Sequence, residues 1–470
     1  MKKNKYTKLM GNSVLFAIGN FGSKLMQFVM VPLYSYVLTT TEFGKVNIIT
    51  NVVSLLGPIA CLDLSDAVFR YALDKVEDKD EIFSTGLYYT VILSLISILV
   101  GYALSFFISN YPVILATILL VTNNIYNLIS DFTRSLGYVK EYAISGIVST
   151  FSIGLSNILF LVVINLGIRG YLVSLILGPI IASIYLIITC GLHKYCDKSK
   201  IKISSLRRML KYSLPLIPNS LAWWINSTSD SIFIMFFLGA SENGIYAMAN
   251  KIPNILNTII GIFFQSWQIS VVEEFNKPNS KKFITNVFGY FFSFIFFLGI
   301  GLVTFARPIF HLLLSKNYYI GWKLVPFFVL ATIYISIASF TGIIYTAFKQ
   351  TGPILVTTIY GAIVNIVVTV ITVPRIGSVG AVIANIVSFL IISIIRIRYM
   401  LKINKLSLNY SKIVLLHFLF IIISIIVLLN LNDILTYVSG CLVLLLQFIF
   451  DSNLKSALQP IINKYVKRQN

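Results

Sequence analysis

The sequence predicts an all-α integral membrane protein of about 14 transmembrane helices. They form two six-helix lobes, related by a pseudo-two-fold axis along the membrane normal, plus two additional C-terminal helices. Three observations predict this. Of 470 residues, 57% are hydrophobic and 11% charged, against about 25% charged in a soluble domain, and the mean hydropathy is +0.86. Apolar runs of membrane-crossing length, about 20 residues, recur from end to end. The chain also repeats itself at a spacing of about 200 residues. No soluble core hides so much apolar side chain, so lipid is the solvent. A cytosolic enzyme, a secreted disulfide scaffold and a disordered chain are excluded.

Taken in order, hydropathy places spans near 12–38, 46–65, 83–108, 112–131, 142–165 and 170–192. A polar, basic stretch follows, and then spans near 213–238, 243–270, 283–306, 324–348, 353–374 and 378–400. Two more lie near 411–430 and 434–451. The expected domains are a first lobe over 1–195, a cytoplasmic linker over 196–212, a second lobe over 213–402, and two extra helices with a basic tail over 403–470. The basic N-terminus leads into a run too long for a signal-peptide core and without a cleavage pattern, so it reads as a retained first span.

The 37 Lys and Arg outnumber the 17 Asp and Glu, for a net charge of +20. In a soluble protein that excess would suggest nucleic acid. Here its placement is a topology signal. With the N-terminus inside, 29 of the cations fall in inside segments and six in outside loops. Both termini are therefore expected on the cytoplasmic side, and no nucleic-acid partner is expected. Cys61, Cys190, Cys196 and Cys441 form no disulfide framework and read as small hydrophobes. Cys190-x-x-His193-x-x-Cys196 lacks a fourth ligand, so it reads as a helix end and no metal is expected.

The repeat sets the architecture. Glu42-Phe-Gly44 after the first span returns as Glu242-Asn-Gly244 after the seventh. Asn157-Ile158 leading to Gly167-x-x-Gly170 returns as Asn365-Ile366 leading to Gly377-x-x-Gly380. Six spans per copy is an even number, so both copies keep one orientation. Parallel repeats are a transporter plan, with the substrate site between the halves near the midplane.

Charges inside a bilayer cost several kcal/mol and usually face a cavity or a partner. Lys24 lies midway along the first span, and Lys251 lies nine residues past Glu242, roughly 13 Å deep by helical rise. Asp230 lies at a similar depth from the outer face, as a structural pair for Lys251 or as a functional group. Asp63 ends the second span with Asp66 and Arg70, which stand i, i+4 as a surface salt bridge or a gate. Asp131 and Arg134 end the fourth span in the same way. The seventh and eighth spans are unusually polar. Asn219, Trp223, Trp224, Asn226 and Gln268 are the candidates for sugar contacts by stacking and bidentate hydrogen bonds. Pro215 and Pro218 break the helix ladder and favour bending. The three histidines stand without arranged carboxylates and no phosphate-binding loop occurs, so no catalytic residues and no cofactor are expected. With no place for ATP, a proton or sodium gradient, or the substrate's own imbalance, would drive transport.

The sequence resembles bacterial polysaccharide repeat-unit flippases of the Wzx type, in the multidrug/oligosaccharidyl-lipid/polysaccharide exporter superfamily. The resemblance covers nearly the whole chain. It rests on Thr41-Glu42-Phe43-Gly44, Leu62-Asp63 with Phe69-Arg70-Tyr71, Leu214-Pro215-Leu216-Ile217-Pro218, Asp230 through Leu238-Gly239, and Gly244-Ile-Tyr246-Ala-Met-Ala249-Asn-Lys251. Members often carry Asp-Arg where this chain has Asp230-Ser231, and Gly where it has Ser65. The resemblance implies a partly cationic cavity that moves a polyprenyl-pyrophosphate oligosaccharide, of the capsule, O-antigen or exopolysaccharide kind, from inner to outer leaflet of the bacterial cytoplasmic membrane by alternating access. Lys24 and Lys251 would then neutralise the pyrophosphate, and Asp63 or Asp230 would take the coupling ion. Membrane lipid and other polysaccharide-assembly membrane proteins are the implied partners. Three alternatives stay open: a flippase for the peptidoglycan lipid precursor, a cation-coupled multidrug antiporter, and a membrane glycan polymerase.

Overall fold

The computed structural model describes residues 22–23, 26–74, 76–274, 277–347, 352–403, 406–429 and 432–455. Among these residues all regular structure is helical. Twelve helices are long and apolar enough to cross a membrane. Two further expected spans take other forms. The described part of the first is the short apolar helix α1, Met26–Val37. The seventh is broken into pieces described below. Together they account for the 14 expected.

Contacts divide the chain into two compact units: residues up to Met235 with Gly239–Gly244, and Phe236–Leu238 with Ile245 onward. The segment expected to open the second lobe, 213–235, thus groups with the first unit.

In the first unit, α2 (Thr40–Ala60) starts where Thr39 and Glu42 form a reciprocal capping box. The Glu42 carboxylate accepts from the Thr39 amide at 2.9 Å and hydroxyl at 2.9 Å. The Glu of the repeated Glu-x-Gly motif is therefore a helix start. Pro58 lies in the last turn of α2 and cannot donate to Ser54 four residues earlier. The helix ends two residues later, and Leu62 and Asp63 both take left-handed backbone, φ 53° and 54°. The span expected over 46–65 therefore begins earlier and stops at Ala60. Nine-residue α3 (Leu64–Ala72) follows, then α4 (Lys79–Ser105), α5 (Val113–Ser135), α6 (Val139–Asn157) and α7 (Gly167–Thr189). Gly167 takes φ +52° between α6 and α7, and a Cβ on Gly170 would press on the Phe160 carbonyl at 3.0 Å.

The linker carries α8 (Ile203–Ser213), which lies against α3 and α4. Lys202 Nζ meets the Glu81 carboxylate at 2.6 Å, and Arg208 meets Glu77 at 2.7 Å. Ser205 donates to Glu81 as well. Lys200 binds Asp80 at 2.7 Å and Asp78 at 3.1 Å. That hydrogen bond holds the Asp78 carboxyl below its ordinary range. The linker is thus strapped to the first turn of α4. Pro215 sits in a 3-10 turn, Leu214–Leu216, and Pro218 in the first turn of α9 (Ile217–Thr228). The prolines separate α8 from α9 rather than bending one long span. α10 (Asp230–Leu238) completes the segment.

The eighth span, whose residues up to Gly244 group with the first unit and the rest with the second, breaks at Ile252-Pro253 into α11 (Ala240–Lys251) and α12 (Asn254–Glu274). Then come α13 (Ser280–Thr304), α14 (Ala306–Leu313), α15 (Val325–Ala347), α16 (Gly352–Ile376) and α17 (Ser378–Lys402), with α18 (Tyr410–Leu428) and α19 (Asp433–Phe450) as the two additions, both packed on α13. Trp267 stacks on Phe340 at 4.4 Å within an aromatic core. The repeat is visible here. Gly377 takes φ +68°, like Gly167, and a Cβ on Gly380 would press on the Thr372 backbone as one on Gly170 does on Phe160. Asn157 and Asn365 are both fully buried. The first donates to the Tyr34 hydroxyl at 2.9 Å, the second to Asn385 at 2.9 Å. Arg396, counted with the inside loop cations from sequence, is instead buried in α17. It donates to the carbonyls of Ala338 at 2.8 Å and Ile354 at 3.3 Å, and to the hydroxyls of Thr357 at 3.0 Å and Thr358 at 3.1 Å. It ties α15, α16 and α17 together.

Candidate functional site: a polar cavity in the first unit

The first unit holds a cavity of about 570 Å³ between α2, α5, α6 and α7. For the interior of a membrane lobe its wall is polar: Thr50, Ser54, Asp63, Asn123, Asn124, Asn127 and Ser149 all line it. The proline break at the end of α2 brings Gly57, Pro58 and Cys61 to the same wall. One turn of α5 supplies the three asparagines, since positions 123, 124 and 127 share a helix face. The Asn124 amide donates to the Gly57 carbonyl at 3.4 Å.

Asp63 is the acidic group of this cavity. It is 8% exposed, and its Oδ2 has no hydrogen-bond partner. It occupies the N-cap position of α3, where Asp commonly caps through its side chain, yet it makes no such bond. The left-handed backbone instead leaves the carboxyl at the cavity wall. Asp63 lies three residues beyond the end of the membrane span, and burial first, then the carboxylates of Asp66 and Asp131, push its carboxyl up to about 6. Asp131 pairs with Arg134 at 3.3 Å, as the sequence suggests. The Arg134 guanidinium also lies 4.0 Å over the Phe69 ring and 5.5 Å from the Tyr142 ring. Asp66 and Arg70 are exposed on α3. The i, i+4 salt bridge considered for them is absent from the ion pairs of the described residues.

The other expected site residues lie as follows. Lys24, and the side chains of Asn219 and Trp223, fall outside the described residues. Trp224 Nε1 donates to the Asn51 carbonyl at 3.0 Å and to Ser54 Oγ at 3.0 Å, so the indole fastens α9 to α2 beside the cavity. Asn226 is 2% exposed and donates to the Ala222 carbonyl of its own helix at 3.1 Å. Gln268 is exposed on α12. Asp230 is 3% exposed and opens α10. Lys251 ends α11 with its side chain exposed, three residues before the span of α12. Sequence reasoning missed the three asparagines of α5. Their signal, Asn-Asn-x-x-Asn inside an apolar run, was there to be read.

The second copy of Glu-x-Gly meets the first. A Cβ on Gly44 would collide with the Ala240 carbonyl, and a Cβ on Gly244 with the Thr40 carbonyl. Asn243 donates to the Gly44 carbonyl at 2.9 Å, and Thr40 and Ser241 share a hydroxyl hydrogen bond at 2.8 Å. The motif is a reciprocal backbone crossing within the first unit.

Residues 9–268 match the family described as Polysaccharide biosynthesis protein. A curated relative, the succinoglycan biosynthesis transport protein ExoT of Rhizobium meliloti (strain 1021), is 23% identical over 335 residues. That match covers 68% of this chain and 64% of the relative, so the chain spans under two thirds of the relative's length. Among solved structures, an inward closed conformation of the lipid II flippase MurJ matches with TM-score 0.71 at 17% identity, covering 96% of this chain and 100% of that one. An inward-facing multidrug resistance MATE family transporter of the MOP superfamily matches with TM-score 0.66 at 13% identity, covering 83% and 99%. At these identities the two structures share the fold.

Proposed function

The chain belongs to the polysaccharide biosynthesis protein family, and on that premise we propose that it is a flippase moving a polyprenyl-pyrophosphate-linked oligosaccharide from the inner to the outer leaflet of the cytoplasmic membrane. The observation that carries the reading is the family match across more than half of the chain, joined to a curated relative described as a biosynthesis transport protein. The polar cavity inside a membrane lobe supports it. Carboxamides and hydroxyls that line a cavity can bind hydrated or hydroxyl-rich groups as well as neighbouring helices.

The roles proposed for single residues follow the same chemistry. Lys24 and Lys251 neutralise the pyrophosphate. Asn219, Trp223, Trp224, Asn226 and Gln268 contact the sugars, Trp224 through its ring face because its N–H is engaged. Asp63, Asp66, Arg70 and Asp230 serve ion coupling or gating. The chain acts as a transporter rather than an enzyme, with both termini cytoplasmic in keeping with the bias of Lys and Arg, and it works beside other polysaccharide-assembly membrane proteins.

Deleting the gene and weighing the polyprenyl-linked lipids by mass spectrometry tests this. One complete lipid-linked repeat unit should accumulate. A build-up of the peptidoglycan precursor alone would assign that cargo instead. No build-up, with new sensitivity to cationic dyes, would assign a drug antiporter. Complementation with Lys251→Ala should fail at normal protein level; normal glycan export by that variant would remove Lys251 from the pyrophosphate site.

A further inference from the structure

We propose that an apolar groove in the first unit holds one hydrocarbon chain of an anionic phospholipid, with the Lys45 ammonium against its phosphate. The groove has a volume of about 350 Å³ and lies between α2, α4 and α5. α2 and α4 both pack on α5 and hardly on each other, which leaves a trough between them. Gly101 of α4 stands so close to α5 that a Cβ there would run into Thr117. Ile49, Val53 and Leu120 are buried at the floor of the trough, while Leu56, Leu104 and Ile108 are exposed at its rims. Of its twelve lining residues only Tyr111 and Thr117 carry a polar side-chain atom. The Thr117 hydroxyl is spent on the Val113 carbonyl at 2.9 Å. A polar ligand would lose its hydration there without finding partners, so the trough suits hydrocarbon.

Charge at the mouth selects the lipid. Tyr111 lines the groove, and Lys45 Nζ lies 5.8 Å from the centre of its ring. Lys45 enters no ion pair among the described residues. It stands five residues inside α2, about 7.5 Å from the helix start by rise per residue. From that depth a lysine reaches the headgroup level while its stem lies along apolar surface. One ammonium matches the single negative charge of a phosphodiester. A pyrophosphate carries more charge and would be left partly unpaired, and a zwitterionic headgroup already holds its own cation beside the phosphate. On the orientation proposed above, the lipid comes from the outer leaflet.

The occupant bears on the neighbouring polar cavity. Val53 and Leu120 line both spaces, so these two side chains stand between the groove and the cavity. A chain lying in the groove backs that partition and seals the polar wall from the bilayer on this side. The leaflet rests on the proposed orientation and the use of the seal on the transport reading; binding rests on neither.

The test is native mass spectrometry of the purified full chain in detergent, titrated with phosphatidylglycerol, phosphatidylcholine or a polyprenyl pyrophosphate. The wild type should take up one phosphatidylglycerol saturably, at lower concentration than phosphatidylcholine. Lys45→Gln should weaken phosphatidylglycerol about fivefold, the scale of a surface charge contact, and leave phosphatidylcholine unchanged. Val52→Trp, which fills the groove from an exposed position on its wall, should weaken both. A phosphatidylglycerol with a photoreactive chain should crosslink to α2, α4 or α5. Equal binding of the two phospholipids by the wild type, or crosslinks confined to other helices, overturns the site. So does phosphatidylglycerol binding unchanged in Lys45→Gln, and that variant decides alone should Val52→Trp not fold. Displacement of bound phosphatidylglycerol by an equal concentration of the polyprenyl pyrophosphate would give the groove to the cargo lipid and overturn the phospholipid assignment. Phosphatidylglycerol binding intact in a chain that flips no oligosaccharide overturns the cargo reading and leaves the site standing.

Discussion

Gly44 and Gly244 show how one residue type fixes a crossing. Each is opposed by the other segment's backbone carbonyl, which cannot swing aside as a side chain would. Gly44→Ala should therefore cost about 3 kcal/mol or more, at the upper end of overpacking penalties, read as a loss of monodisperse protein and a fall in melting temperature. Gly301→Ala is the matched comparison, because open space surrounds its Cβ position within α13. Removing a mid-helix glycine there should be neutral or stabilise by up to about 1 kcal/mol. Equal losses in both variants would remove the crossing as the cause. The sequence displays these residues as a repeated motif, but it does not display their purpose. Glu42 turned out to cap a helix, and Gly44 to let two backbones touch. Neither reason depends on hydropathy, so the periodic pattern could not announce it. Asp63 stood out in the sequence as a charge at a span end. The asparagines of α5 that line the same cavity did not, because asparagine in a membrane helix reads equally as helix glue.

Elements were legible wherever an apolar run is long and unbroken, and were misjudged at three prolines, although Pro179 and Pro374 lie within unbroken helices. Pro58, Pro215 and Pro253 each end or divide a helix that hydropathy draws as continuous. The basic linker was legible as a charge run, but its folding against α4 was not, since the carboxylates that hold it lie about 120 residues earlier. Glu81 accepts from Lys202 and Ser205 and has 14% of its side chain exposed. Glu81→Gln should free the linker without unfolding the unit. Trypsin should then cut after the lysines of 198–202 several-fold faster. Stability should change by about 1 kcal/mol, the upper end for surface ion pairs, because Lys202 is exposed and Gln keeps an acceptor for Ser205. An unchanged cleavage rate would show that α8 is held by its apolar face instead.

The whole molecule was legible as a class: composition and hydropathy show a multi-pass helical membrane protein, and the recurring motifs show that it is built on a repeat. The repeat survives in the structure as matched geometry, with positive-φ glycines at 167 and 377 and buried asparagines at 157 and 365. The polar cavity was not legible, because it is assembled from four helices whose sequence separation hides their proximity. Transport of a lipid-linked oligosaccharide by this chain is decided by reconstitution. The purified chain would be placed in vesicles loaded on the inner leaflet with the polyprenyl-linked repeat unit isolated from the deletion strain. A glycosidase outside would then report how much glycan reaches the outer leaflet. Glycan release well above that of protein-free vesicles is expected, rising further when a sodium gradient is imposed. Release at the protein-free rate, with correctly folded protein in the membrane, would contradict it.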